Sequence, residues 1–340
     1  MSMTRFVCLV ACVSAIAFVG CDDGTVDPTD SGTGGGDAGM VCQTPPDLPE
    51  GTRPDPSAVS CPTEATPAPD EQMGSCCWRN SNAGQLGTPE LRLSYIDIVG
   101  PAGSPLSSGT VRRVLNEAVQ EETFNWLIRT EGADADGDVT ITTGFGRRTA
   151  DGTYEFSQGS GGAEGDPDAW CPVTIPASLA GETVTSNPID GSITVPIFDE
   201  AGVEVQVELT LRNVAIETAT FGEDRSCVGW QVSRPFTYHP EGLLTGYVEV
   251  EPSRTGTINT PGVMTTVCSA LAGSLSLTYC EDTPQAEWAI KPDALCDASG
   301  CQANTACGDD VCDPATECNA WRFVAHFAAN GVDITNDACP

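Results

Sequence analysis

Between Val203 and Arg212 apolar and polar residues alternate without a break: Val203, Val205, Val207, Leu209 and Leu211 against Glu204, Gln206, Glu208, Thr210 and Arg212. A period of two puts each set on its own side of an extended chain, so this run is a strand with one buried and one wet face. Strands of that kind belong to antiparallel sheets packed on one side. Ile193, Val195 and Ile197 alternate likewise upstream, and Phe198 to Gly202 is a connection of hairpin length ending in glycine, so the two runs are expected to pair antiparallel. After Arg212 the apolar parity changes to Val214 and Ile216, which predicts a bulge or bend near Asn213.

Leu91 to Val99, Val139 to Thr143, Tyr154 to Phe156 and Tyr247 to Val250 read as further strands. Between the first two, Val111, Val114, Leu115, Ala118 and Val119 form one helical stripe with Thr110 as its cap, while Phe124 and Ile128 lie off it. The expected fold class is mainly β: an antiparallel β-sandwich or curved sheet with one packed helix, flanked by disulfide-rich segments.

Charge narrows the partners. The 340 residues carry 48 acidic and 15 basic side chains, a formal net charge of -33. A surface so poor in Lys and Arg excludes nucleic acid as a partner, because such binding rests on neutralising phosphate; it favours cationic partners or divalent ions. With 36 Gly and 25 Pro the chain should be dense in turns.

Residues 1–20 have the form of an export leader, with Arg5, an apolar run from Phe6 to Val19 and a small-residue end. The stretch is too short for a permanent spanning helix. It ends in Phe18-Val19-Gly20-Cys21, which resembles the lipobox of bacterial lipoproteins, with Phe18 where Leu is commonest. The resemblance covers the leader alone and implies that Cys21 receives fatty acyl chains of the palmitate type before cleavage on its amino side. Two or more chains hold a protein stably on a membrane. Residues 21–40 are a Gly-rich acidic stretch whose only large apolar residue before Met40 is Val26, as expected of a flexible tether. The resemblance implies a lipid-anchored protein of the bacterial cell envelope, on the periplasmic or surface face of the outer membrane; Asp22 and Asp23 bear on which membrane.

Of 17 cysteines, Cys8 and Cys12 leave with the leader and Cys21 is acylated on this reading. Cys42, Cys61, Cys76, Cys77, Cys171, Cys227, Cys268, Cys280, Cys296, Cys301, Cys307, Cys312, Cys318 and Cys339 remain, an even set that in an exported chain reads as disulfides. The spacings from Cys296 to Cys318 are not those of zinc knuckles. Trp78, Trp170, Trp230 and Trp321 lie close to cysteines in sequence and are expected to pack on the bridges rather than to form a sugar platform. The folded part divides into a Cys- and Pro-rich segment 41–88, a β-rich domain 89–261, and a Cys-rich segment 262–340 with a helix from Pro314 to Ala329.

Few residues carry chemistry. Asp134, Asp136 and Asp138 alternate before and after Gly137 and resemble the start of a calcium loop, but aligning Gly137 with the turn glycine puts Gly132 at the first ligand position and Thr143 where a bidentate Glu belongs. Calcium is therefore the one cofactor considered, against a solvated Asp-Gly turn. Asp309, Asp310 and Asp313 form a second acidic loop with less pattern. His239, His326 and Lys291 are the only His and Lys residues, and the chain lacks zincin, serine-hydrolase, P-loop and dinucleotide motifs. The function expected is a lipid-anchored binding or structural module with a protein or glycan partner. The alternatives are a secreted hydrolase using carboxylates and a lipid carrier with an apolar groove.

Overall fold

A computed structural model of the chain describes residues 47–51, 86–157, 170–198, 205–222, 225–233, 237–260, 263–304 and 311–335. The leader, Cys21, the tether, Cys42, Cys61, Cys76, Cys77, Trp78, Cys307, Asp309, Asp310 and Cys339 lie outside the described residues.

The strands are β1 (Glu90–Gly100), β2 (Trp126–Glu131), β3 (Gly137–Arg148), β4 (Tyr154–Phe156), β5 (Val173–Ala180), β6 (Thr183–Ser186), β7 (Ser192–Phe198) and β8 (Val205–Thr220), then the short β9 (Cys227–Val228), β10 (Trp230–Ser233) and β11 (Thr237–His239). They continue with β12 (Gly242–Glu249), β13 (Thr257–Thr260), β14 (Val263–Thr266), β15 (Ala294–Asp297), β16 (Gly300–Ala303) and β17 (Ala320–Gly331). Eight of them close a ring in the order β1, β2, β3, β5, β6, β8, β12, β17 and back to β1, every neighbour antiparallel. The fold is mainly β, as expected, but it is an up-and-down barrel and not a sandwich. The difference lies in β12, which pairs with β8 on one side and β17 on the other, and in β17, which returns to β1, so that the sheet joins its own edge.

β7 and β8 pair as the alternation predicts, with Ile193 opposite Leu211 and Val195 opposite Leu209. The bulge also falls where predicted: Ala215 pairs with Thr245 but Arg212 with Tyr247, and Asn213 takes φ +47°. A second bulge, not anticipated, separates Thr218 opposite Leu243 from Ile216 opposite Leu244. Each bulge inserts one residue, so the buried set shifts from Leu209 and Leu211 to Val214 and Ile216 and then to Ala219 and Phe221. That keeps apolar residues facing inward while the long strand bends around the barrel.

The helix α1 (Gly109–Gln120) buries Leu115, Ala118 and Val119 as expected, but its cap is Ser108, whose hydroxyl accepts from the Val111 N–H at 3.3 Å, and not Thr110. Ser108 has the extended backbone a cap needs. Phe124 is buried in the connection after the helix and Ile128 belongs to β2, pointing into the barrel beside Leu91.

The helix expected from Pro314 to Ala329 is absent. Pro314 to Glu317 make one turn, held by Asp313, whose carboxylate accepts from the Ala315 N–H and the Thr316 hydroxyl, each at 2.8 Å. Ala320–Gly331 is then the strand that closes the barrel. Trp321, Phe323, Ala325, Phe327 and Ala329 face the core, and the residues between them, Val324, His326 and Ala328, are also buried. A strand covered on both faces loses the period of two, and Ala-rich spacing then imitates a helix.

A second small core lies outside the barrel wall, where the β3–β4 hairpin covers Leu127 with Tyr154 and Phe156 and the chain end adds Val332 and Ile334. Arg92 and Arg129 lie under the Tyr154 and Phe156 rings. Arg129 pairs with Glu90 at 2.8 Å and donates to the Ile334 carbonyl, while Arg92 donates to Asn125 at 2.6 Å and to the Val119 carbonyl.

Cys268–Cys280, Cys296–Cys301 and Cys312–Cys318 are disulfides, and Cys171 and Cys227 are also disulfide-bonded. All described cysteines of the expected set are therefore oxidised. No described helix is long and apolar enough to cross a membrane.

Candidate functional site

The barrel interior is filled by its own side chains. Leu91, Ile128, Ile141, Val184, Phe221 and Phe327 help to surround a residual void of about 10 Å³, no larger than one water molecule needs. A cleft of about 660 Å³ opens at the end of the barrel where β8 stops and β12 begins. Its walls are Thr220, His239, Pro240 and Glu241 on one side and Leu48 to Gly51 on the other.

The β10–β11 hairpin positions the histidine. Alternation along β11 sends Tyr238 toward the barrel, where its ring stacks on Tyr95 of β1 at 5.6 Å, and turns His239 the other way. His239 sits opposite Trp230 in the ladder, and the two rings stack at 4.0 Å with planes 19° apart. Val232, two residues beyond Trp230, is 61% exposed. Burial holds the imidazole below its ordinary pKa, opposed by the hydrogen bond it donates to the Pro49 carbonyl. Near neutral pH this site therefore presents an uncharged imidazole together with the Glu50 and Glu241 carboxyl groups. The histidine holds the main chain at Pro49.

Turns from two other hairpins meet at the same barrel end. Asp134, Asp136 and Asp138 are exposed at the β2–β3 hairpin, and one Asp136 oxygen accepts from the Gly181 N–H of the β5–β6 turn at 2.9 Å. Asp136 thus ties two turns together. Among the described residues no group of three His, Cys, Asp or Glu side chains converges to hold a metal. Asp313 of the second acidic loop caps its own turn, and the Ala315 N–H beside it holds its carboxyl below the ordinary range.

A polar cluster covers the outer wall of β8, β12 and β17. Arg212 pairs with Glu249 at 3.0 Å, Thr245 donates to Glu217 at 2.9 Å, and Arg322 lies 4.0 Å from the same Glu217 oxygen. Asp293 accepts from the Arg322 N–H at 2.8 Å, and desolvation raises its carboxyl above the ordinary pKa despite that bond and the guanidinium. Tyr247 is raised for the same first reason. These carboxylates are taken up by arginine, threonine and main chain, which makes the cluster a brace between strands.

The remaining sequence candidates do not join the cleft. His326 is buried in β17 and Lys291 is exposed on a loop of the disulfide-rich region. Four of the described tryptophan rings pack on other rings, Trp230 on His239, Trp288 on Trp321 at 5.6 Å and Trp170 edge-on to Phe145 at 6.2 Å, while the Trp126 indole donates to the Thr143 hydroxyl at 2.8 Å. Sequence reasoning singled out His239 as scarce chemistry but gave no role to Thr220, Glu241 or Leu48 to Gly51. Their only sequence signal is proximity to Pro and Gly, which many loops share. Comparison of the chain with protein-family models, with curated proteins and with solved structures gave no significant match.

Proposed function

We propose that this protein is a lipid-anchored, extracytoplasmic binding module of a bacterial cell envelope, carried by acylated Cys21 and recognising a protein or glycan partner at the cleft beside His239. The observation that carries the binding part is the contrast between a side-chain-filled barrel and an open cleft of about 660 Å³ at one end. The anchoring part is supported by the Phe18-Val19-Gly20-Cys21 end of the leader and by an oxidised cysteine set, which suits an exported chain. Glu50 and Glu241 at the cleft and a net charge of -33 favour a partner that presents amines or guanidinium groups.

Two measurements test the reading. Cys21→Ser in the full chain should move the protein from the detergent phase to the aqueous phase; an unmodified Cys21 on soluble wild-type protein would overturn the anchor. Calorimetry of the soluble domain against basic peptides should show binding that weakens in Glu50→Lys/Glu241→Lys and at higher salt. Equal binding by both proteins would move the site away from this cleft.

A further inference from the structure

Leu48 to Gly51 belong to no ladder of the sheet, yet they lie against β11, which comes far later in the chain. Three contacts surround the histidine that meets them. The imidazole donates to the Pro49 carbonyl, stacks on Trp230 at 4.0 Å, and lies against Gly51. A Cβ built on Gly51 would come 2.7 Å from Nε2 and 2.8 Å from Nδ1 of that ring, and closer still to Cε1, so a larger residue there has to displace the ring or the segment. Beyond this, Leu48 is half-buried and Asp47, Pro49, Glu50 and Gly51 are exposed. Few buried contacts and no ladder hydrogen bonds are the properties of a segment that opens at far lower free energy than the fold.

We propose that residues 47–51 are a detachable strap that forms one wall of the cleft at this end of the barrel, fastened by His239 against the Gly51 backbone and released without unfolding the barrel. The charged groups that share the cleft with the ring are Glu50 on the strap and Glu241 after β11. Burial lowers the pKa of the imidazole and the hydrogen bond to the Pro49 carbonyl raises it, so detaching the strap changes both influences on the ring. The inference concerns the strap alone and does not depend on what binds the cleft.

The test uses the intact chain. With two histidines, His239 and His326, the imidazole NMR spectrum contains two sets of signals. In wild type His239 should titrate below pH ~6.5. In Gly51→Ala its midpoint should move from the wild-type value, because the ring loses the Pro49 hydrogen bond and the cover of the strap. Cleavage after Glu50 by a glutamate-specific protease should then rise at least about tenfold, with the barrel's thermal midpoint unchanged. His239→Gln, which retains an N–H donor but removes the ring, should give the same gain in cleavage. Unchanged His239 titration in Gly51→Ala together with unchanged cleavage in both variants would overturn the proposal. A barrel that melts earlier in step with cleavage, or variants that fail to fold, would also overturn it, by making the strap part of the fold.

Discussion

Asn116 on α1 supplies both hydrogen bonds that Ile96 on β1 would otherwise take from a neighbouring strand: its Oδ1 accepts from the Ile96 N–H at 3.0 Å and its Nδ2 donates to the Ile96 carbonyl at 2.8 Å. The pairing of β1 with β2 ends at Arg92 opposite Leu127, so the upper half of β1 is open on that side. The helix thus closes a seam in the barrel, and a polar side chain in the middle of its buried face makes the closure specific.

Asn116→Ala leaves the half-buried N–H and C=O of Ile96 without this partner and should destabilise the protein by about 1–2 kcal/mol. Urea unfolding of the disulfide-intact protein measures it. A loss below about 0.5 kcal/mol, the range of neutral surface substitutions, would mean that the seam is closed by other contacts.

Arg129 and Glu90 are paired at 2.8 Å with side chains 10% and 11% exposed. Removing the cation strands a buried carboxylate, whose pKa is already raised by desolvation, so Arg129→Met should cost about 3–5 kcal/mol. Arg129→Met combined with Glu90→Gln should cost less than Arg129→Met alone. A double variant no more stable than the single would show that Glu90 does not carry the loss.

Asp293 has its carboxyl raised by desolvation. Its native pKa exceeds the unfolded value, so its contribution to stability is fully present below the unfolded pKa, ~4, and is lost as pH rises through the native value. Asp293→Asn keeps an acceptor for the Arg322 N–H and removes the buried charge. The variant should melt higher than wild type at pH 7, with the gain vanishing below pH ~4. A melting difference independent of pH would count against this account.

Asp136 accepts from the Gly181 N–H, and its neighbours Asp134 and Asp138 face solvent. With the loop serving as a turn, Ca²⁺ and Mg²⁺ at matched ionic strength should raise the thermal midpoint equally, by screening a chain of charge -33. A gain specific to Ca²⁺ and lost in Asp136→Asn would instead establish the calcium loop, since Mg²⁺ demands a rigid octahedral site. Asp136→Ala should cost about 1 kcal/mol in either case, through the lost link between turns.

Local pattern determined much of this protein. The alternation through Leu209 and Leu211 placed β8, the spacing upstream placed β7 beside it, and the change of parity located the bulge at Asn213. The α1 stripe was equally readable, because one face of each of these elements meets water and leaves its period in the residue order. At the candidate site the sequence marked His239 by scarcity alone, and marked Asp134, Asp136 and Asp138 by a motif whose central member, Asp136, joins two turns in the structure.

Tertiary structure decided the rest. Ala320–Gly331 is buried on both faces and paired laterally with β1 and β12, so its residues carry no alternation, and long-range pairing alone makes it a strand. Closure depends on that strand, which is why barrel and sandwich could not be separated from local pattern. The meeting of His239 with Pro49 and Gly51 is likewise invisible in the residue order, because it joins parts of the chain that only the folded barrel brings together.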